Sequence, residues 1–294
     1  MFGYLLIFIA ACLWALLGIF TAFLLDAQVQ AMEIAFWRAV IAGAMFIAHA
    51  AWIGRLRIER RRDLGGLVIF ALVGVTLFFG SLNLAIEAGG ISLAVILLYT
   101  APAFVVVLAR IFLKEAITAQ KVVALVLVTS GISLVALSGG GEGVTITTVS
   151  VGWGLAAGAS YASYYIVGKR LMVRYEPATI YAVILPVGAL GLLPFVEFRP
   201  KSAEAWALLV GLSVLSTYLA YLVYFTGLRR VEASRAVLVA SMEPVIAGGL
   251  AAVIFGERLG LWGLVGAGLV VMASLSSLLK ARATLEADDG EGVG

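Results

Sequence analysis

The chain has 294 residues, 63% of them hydrophobic and 13% charged, where soluble domains carry about 45–50% apolar and about 25% charged residues. A water-soluble protein is excluded. The formal charge of +3 sits on basic residues that flank apolar runs, so it reads as a topology signal and not as a nucleic-acid surface. One cysteine, Cys12, and one histidine, His49, can build neither a disulfide framework nor a Cys/His metal cluster, and no cofactor or metal is expected.

In chain order the apolar runs are 3–25, 32–53, 64–84, 91–112, 119–138, 150–168, 177–198, 204–228, 234–256 and 260–280. The first lacks a basic leader and a small-residue cleavage site, so it reads as a retained span. Runs of this length suit helices crossing a core about 30 Å thick, whereas barrel strands would alternate over about ten residues. The expected fold class is an all-α membrane protein of ten transmembrane helices, with the lipid bilayer as its surroundings. With the N-terminus inside, sixteen Lys and Arg lie on inner segments and three (Arg199, Lys201, Arg258) on outer ones, with Arg38 inside the second run. That bias predicts both termini in the cytoplasm. Residues 281–294, with Glu286, Asp288, Asp289 and Glu291, read as a disordered cytoplasmic tail.

Sliding the chain by 142 residues superposes Ser92 on Ser234, Ala94 on Ala236, Pro102 on Pro244, Leu108 on Leu250, Glu115 on Glu257 and Leu127 on Leu269 without a gap. This predicts an internal repeat. Each copy holds five spans, an odd number, so the second enters the membrane from the opposite face. Two inverted five-helix repeats are the architecture in which secondary transporters place a midplane substrate site.

Several residues within the spans carry chemistry. Trp14 lies well inside span 1, while Trp37, Trp52, Trp153, Trp206 and Trp262 fall near span ends as belt anchors. Arg38 in span 2 can attract a substrate carboxylate or pair with Glu33. His49, near the inner end, can titrate near neutral pH or be an inert interfacial residue. Phe79, Tyr99 and Tyr221 are candidate aromatic walls, and Ser163, Thr217 and Ser241 candidate hydroxyls beside them. Tyr161, Tyr164, Tyr165 and Tyr224 extend this set. Their null alternative is hydroxyls bonded to their own helix and tyrosines at the lipid interface. Pro102 and Pro244 near mid-span predict gating kinks, since each removes an intrahelical hydrogen bond. Glu243 precedes the second proline at midplane, where it can meet a substrate amino group or a proton, or tie kinked helices together. The spacings Gly154 to Gly158 and Gly263 to Ala267 permit close helix approach and read as packing within one chain. A monomer is expected, with a homodimer as the alternative.

The stretch FTGLRRVEASRAVLVASMEPVIAGGLAAVIFGERLGLWGLVGAGLVVMA resembles the second EamA repeat of the drug/metabolite transporter superfamily. Ala233-Ser234, Glu243-Pro244 and Gly256-Glu257-Arg258-Leu259 carry the likeness, as does LWALLGIF with Arg38 near the chain start. The first half, NLAIEAGGISLAVILLYTAPAFVVVLARIFLKEAITAQKVVALVLVTSGISL, departs from the pattern at Lys114, where Gly is usual. The resemblance implies EamA repeats at 1–138 and 150–280 and a ten-helix inner-membrane exporter of a small-molecule metabolite, with overall likeness to the aromatic amino-acid exporters of the family. An amino-acid exporter of broad specificity working by alternating access is therefore expected. The alternatives are proton-coupled efflux of drugs or cationic compounds and a non-gated facilitator. Enzyme readings fail: there is no H-E-x-x-H, a triad would need His49, and Gly168-Lys169 lacks the upstream glycine of a phosphate loop.

Overall fold

The computed structural model describes residues 1–138, 145–256 and 260–291, with 277–291 described as helix only. Among the described residues there are ten long helical segments and no strand. They are α1 (Phe2–Asp26), α2 (Ala31–Trp52), α3 (Arg61–Gly89), α4 (Ile91–Phe112), α5 (Ala119–Ser138), α6 (Thr148–Leu171), α7 (Pro177–Phe195), α8 (Ala203–Leu228), α9 (Ala233–Phe255) and α10 (Leu261–Glu291). Eight of these are long and apolar enough to cross a membrane, and α10 adds a shorter apolar stretch, Leu261–Ser276. The remaining helix, α6, is diluted by the Gly, Ser and Tyr residues of GWGLAAGASYASYY, and it tolerates them because neighbouring helices cover much of it. The expected tail at 281–294 lies outside the residues with described side chains.

The 142-residue repeat is visible in the backbone. α3 and α8, α4 and α9, and α5 and α10 start at positions that differ by that offset. Two π-helical turns, Leu72–Leu77 in α3 and Val214–Leu219 in α8, also stand 142 residues apart. Helices pack as α1 on α8, α3 on α6, α2 on α7, α4 on α9 and α5 on α10. Exchange of the two copies maps this set onto itself, as a pseudo-two-fold relation requires.

Just before each proline the helical pattern is interrupted for two residues, Tyr99–Thr100 and Ser241–Met242. α4 is interrupted after Leu98 and restarts at Ala101, and α9 is interrupted after Ala240 and restarts at Glu243. Pro102 and Pro244 thus fall in the first turn of a new helical half, where the missing N–H costs nothing and the fixed φ is favourable. The breaks are held locally: Thr100 donates its hydroxyl to Leu97 O at 2.6 Å and Ser241 to Val237 O at 2.8 Å. α6 comes close against the first break through Gly158, where a Cβ would stand 2.7 Å from Thr100 Oγ1 and 2.9 Å from the Leu97 carbonyl oxygen.

The loops gather on two faces. On the first, Thr179 donates to Arg55 O at 2.6 Å, Tyr175 to Asp63 Oδ2 at 2.8 Å, and Arg229 pairs with Glu176 at 2.9 Å. On the second, Gln30 donates to Glu197 at 3.3 Å and Thr145 N to Gly89 O at 3.2 Å. The first face carries the N-terminus and most of the basic side chains.

The repeat also exposes a strained residue. Gly256 ends α9 with φ +71°, and its counterpart Lys114 follows α4 with φ +60°, a conformation that a residue with a Cβ reaches at a cost of about 1–2 kcal/mol. Lys114→Gly is expected to raise unfolding stability in detergent by about 0.5–1 kcal/mol, whereas Lys114→Ala, which keeps the Cβ, should give no such gain. Equal effects of the two substitutions on the thermal midpoint would remove the backbone explanation.

Candidate functional site

A cavity of about 120 Å³ lies where the two broken helices meet the rest of the bundle. By the measure in which one water needs about 10–15 Å³, it admits a small molecule. α1 contributes Trp14 and Leu17, α2 Arg38, α3 Phe78, Phe79 and Leu82, α4 Leu98 and Tyr99, α6 Tyr161, Tyr164 and Tyr165, α8 Tyr221, Tyr224 and Phe225, and α9 Glu243. The sequence placed a site among spans 1, 3, 4, 6, 8 and 9; α2 joins them through Arg38.

The π-helical turns shape this wall. A π-turn adds one residue to a helical turn and so re-phases the face that follows it. In α3 the residues after the turn, Phe78, Phe79 and Leu82, line the cavity, and the turn is anchored by Tyr164 of α6, whose hydroxyl donates to Gly74 O at 2.5 Å. In α8 the turn is anchored on α1 by Ser216, donating to Leu13 O at 2.7 Å, and Tyr221, Tyr224 and Phe225 follow it into the cavity. The rings make a connected set. Trp14 packs on Tyr221 and Tyr224 with centroids 6.0 and 4.9 Å apart, and Phe78 stacks on Tyr161 at 5.4 Å. Tyr224 also packs edge-on against Tyr165, with centroids 5.6 Å apart.

Two charges interrupt this aromatic lining. Glu243 occupies the first turn of the second half of α9, where unpaired backbone N–H groups and the helix dipole favour a carboxylate. Arg38 is buried, with its guanidinium 4.5 Å over the Phe79 ring. Glu33 is taken by Lys201 and by the Trp37 indole, so it does not neutralise Arg38. Among the described residues, no carboxylate stands within 4 Å of Arg38 and no cation within 4 Å of Glu243. One cation and one anion therefore face a shared space without forming a contact pair. The counterpart of Glu243 in the first repeat is Ala101, so this carboxylate is absent from the other copy.

Of the residues singled out from sequence, Trp14, Phe79, Tyr99, Tyr221, Arg38 and Glu243 come together here. Ser163, Thr217, Ser241 and His49 do not line the cavity. Ser163 donates to Ser160 O at 2.6 Å and Ser241 to Val237 O, so both hydroxyls satisfy carbonyls of their own helix. Thr217 is buried inside the π-turn of α8. His49 is paired through Nδ1 with the Tyr218 hydroxyl at 2.9 Å and lies beside Trp52. Sequence reasoning missed Phe78, Phe225, Leu17, Leu82 and Leu98, which nothing in an apolar span distinguishes from packing residues. A second, lateral groove of about 730 Å³ lies behind α3, reached by Gln30, Asn83 and Glu87, but it involves neither helix break.

Apolar spans, a repeated helical fold and a central amphipathic cavity define a multi-pass membrane protein. The profile of the EamA-like transporter family matches residues 1–137 and 148–279. The chain belongs to the EamA-like family, within the drug/metabolite transporter superfamily, and is a transporter and not an enzyme. It is 23% identical to the uncharacterized inner membrane transporter YicL of Salmonella typhimurium, over 96% of this chain and 98% of that protein. It is 26% identical to a probable terminal-alkyne amino-acid exporter of Streptantibioticus cattleyicolor, over 75% of this chain and 74% of the exporter. A solved crystal structure superposes with a TM-score of 0.79 over 96% of this chain and 98% of the other at 19% identity, a likeness of fold alone. The narrower likeness to aromatic amino-acid exporters is not carried by these relatives.

Proposed function

We propose that the chain exports amino acids with aromatic or other apolar side chains across a bacterial-type inner membrane, by alternating access between two inverted five-helix repeats. The observation that carries this reading is the central cavity: one guanidinium and one carboxylate, unpaired with each other, in a wall of aromatic rings. A zwitterion supplies the complement to both charges, its carboxylate at Arg38 and its ammonium at Glu243, while the rings take an apolar side chain. An organic cation would leave Arg38 buried and repelled, which disfavours the drug-efflux alternative. The odd number of spans in each copy supports inversion, and the helix pairing is unchanged when the copies are exchanged. The basic first face is the cytoplasmic one, by the charge bias of the loops. The cavity is built within one chain, so a monomer suffices. Export that follows the substrate gradient belongs to this proposal; His49 lies away from the cavity, in contact with Tyr218 and Trp52.

Counterflow in proteoliposomes tests the reading. Internal phenylalanine, tryptophan or leucine should accelerate entry of labelled phenylalanine with saturation. Phenethylamine, which lacks the carboxylate, and phenylpropionate, which lacks the ammonium, should not. Equal stimulation by phenethylamine would overturn the zwitterion reading, and flux that never saturates would favour a facilitator channel.

A further inference from the structure

On the first face the Glu115 carboxylate is one of the groups that tie the two repeats together, beside Asp63, which accepts from Tyr175, and Glu232, which pairs with Lys121. Glu115, in the loop after α4, accepts hydrogen bonds from the backbone N–H groups of Ala233 at 2.7 Å and Ser234 at 3.1 Å, and from the Ser234 hydroxyl. It thereby caps the start of α9, whose own preceding residue, Glu232, makes no side-chain cap. Lys169 at the end of α6 stands 3.6 Å from Glu115 and donates to Val231 O at 2.5 Å. Lys121 at the start of α5 bridges Glu115 at 3.8 Å and Glu232 at 3.2 Å, and Arg235 also holds Glu232, at 2.8 Å. Glu115 and Lys121 belong to the first repeat, and Lys169, Glu232, Ser234 and Arg235 to the second.

The Glu115 and Lys121 side chains are 8% and 6% exposed, so this is no solvated surface pair. Burial raises the Glu115 carboxyl, but the Ser234 and Ala233 hydrogen bonds and the Lys169 charge outweigh it and hold the group below its ordinary value of 4.5. It stays ionised at neutral pH, and its hydrogen bonds are of the strong, charge-assisted kind.

Beneath the cluster lie the second half of α4 and the first half of α9, packed closely. Val105 and Ala109 of α4 and Ala236 and Val237 of α9 are fully buried or nearly so. The cavity above them reaches Leu17 of α1 and Leu82 of α3 on the side of the second face, and Tyr165 of α6 and Phe225 of α8 on the side of the first. The half of α9 that Glu115 caps, Ala233–Ala240, ends at the break before Glu243.

We infer that Glu115 is a latch: its contacts with the start of α9 and with Lys169 hold the first face shut, and their release lets that face open to the cavity. The inference rests on alternating access as proposed above.

The test uses the full-length protein with Cys12→Ser and a single reporter cysteine. Ala109→Cys reports the first face beneath the latch, and Leu17→Cys reports the cavity from the second. A charged thiol reagent is the probe. Glu115→Gln should raise the labelling rate at position 109 about tenfold or more, the factor that one charge-assisted hydrogen bond carries, and lower it at position 17. Ser234→Ala, which removes one of these charge-assisted hydrogen bonds and leaves the two backbone ones, should shift both rates in the same directions, by up to about tenfold. Simple loosening would raise labelling at both positions, and that result, or no change at position 109, overturns the latch. If Glu115→Gln fails to fold, the paired shifts in Ser234→Ala decide. Counterflow by the wild-type protein is untouched by either outcome, so loss of the latch and loss of the amino-acid reading are separable.

Discussion

Arg38→Met is expected to lower the counterflow of zwitterionic amino acids by about ten- to a hundredfold, and Glu243→Gln to do the same. A hydrogen bond to a charged group contributes roughly 1.5–3 kcal/mol, and the cavity encloses both groups in aromatic surroundings where water does not fully replace a lost partner. The two variants should differ in what they still carry. Without Arg38 the carboxylate of a substrate loses its partner while Glu243 remains, so phenethylamine should gain relative to phenylalanine. Without the Glu243 charge the preference should move toward phenylpropionate. Protein abundance should change little, because neither side chain has an opposite charge within 4 Å among the described residues. Wild-type rates and ranking in both variants would place the substrate elsewhere.

The largest effect on stability is expected at the second face. Lys201, in the loop before α8, forms a salt bridge with Glu33 at the start of α2, with side-chain exposures of 5% and 0%. Lys201 also donates to Arg199 O at 2.7 Å and sits over the rings of Trp37 and Trp206, at 5.6 and 5.3 Å. Glu33 Oε2 is already buried without a hydrogen-bond partner among the described residues. Lys201→Met therefore leaves a buried carboxylate with only the Trp37 indole, and should cost about 3–5 kcal/mol, the range for breaking a buried pair from one side. The double variant Glu33→Gln, Lys201→Met removes both charges and should recover most of that loss, since the penalty lies in the orphaned charge. Thermal unfolding in detergent reads both. Additive losses in the double variant would mean that the two side chains do not act as a pair.

The fold was legible in the sequence because the bilayer imposes a simple rule: backbone groups must be satisfied within each span, so length and hydropathy locate helices. The repeat was legible for the same chain, since Ser92 and Ser234, Pro102 and Pro244, and Glu115 and Glu257 keep one offset. Arg38 and Glu243 stood out as charges in apolar runs, and both reach the cavity.

Tertiary structure alone decided the rest. Ser163 and Ser241 carry the same hydroxyls as a substrate-binding residue would, but each turns to a carbonyl one turn earlier on its own helix. The prolines marked a discontinuity, and the room for it depended on neighbours such as Gly158, which admits α6 against the open turn of α4. The π-turns at Leu72–Leu77 and Val214–Leu219 leave no clear mark in composition, and they re-phase the faces that bring Phe78, Phe79 and Tyr221 to the cavity. Glu33 meets Lys201, and Glu115 meets Ser234, across more than a hundred residues of chain. Hydropathy fixes that a residue lies in the membrane, but within a bundle lipid and protein interior are equally apolar, so only the packing of one helix on another settles which of them a side chain faces.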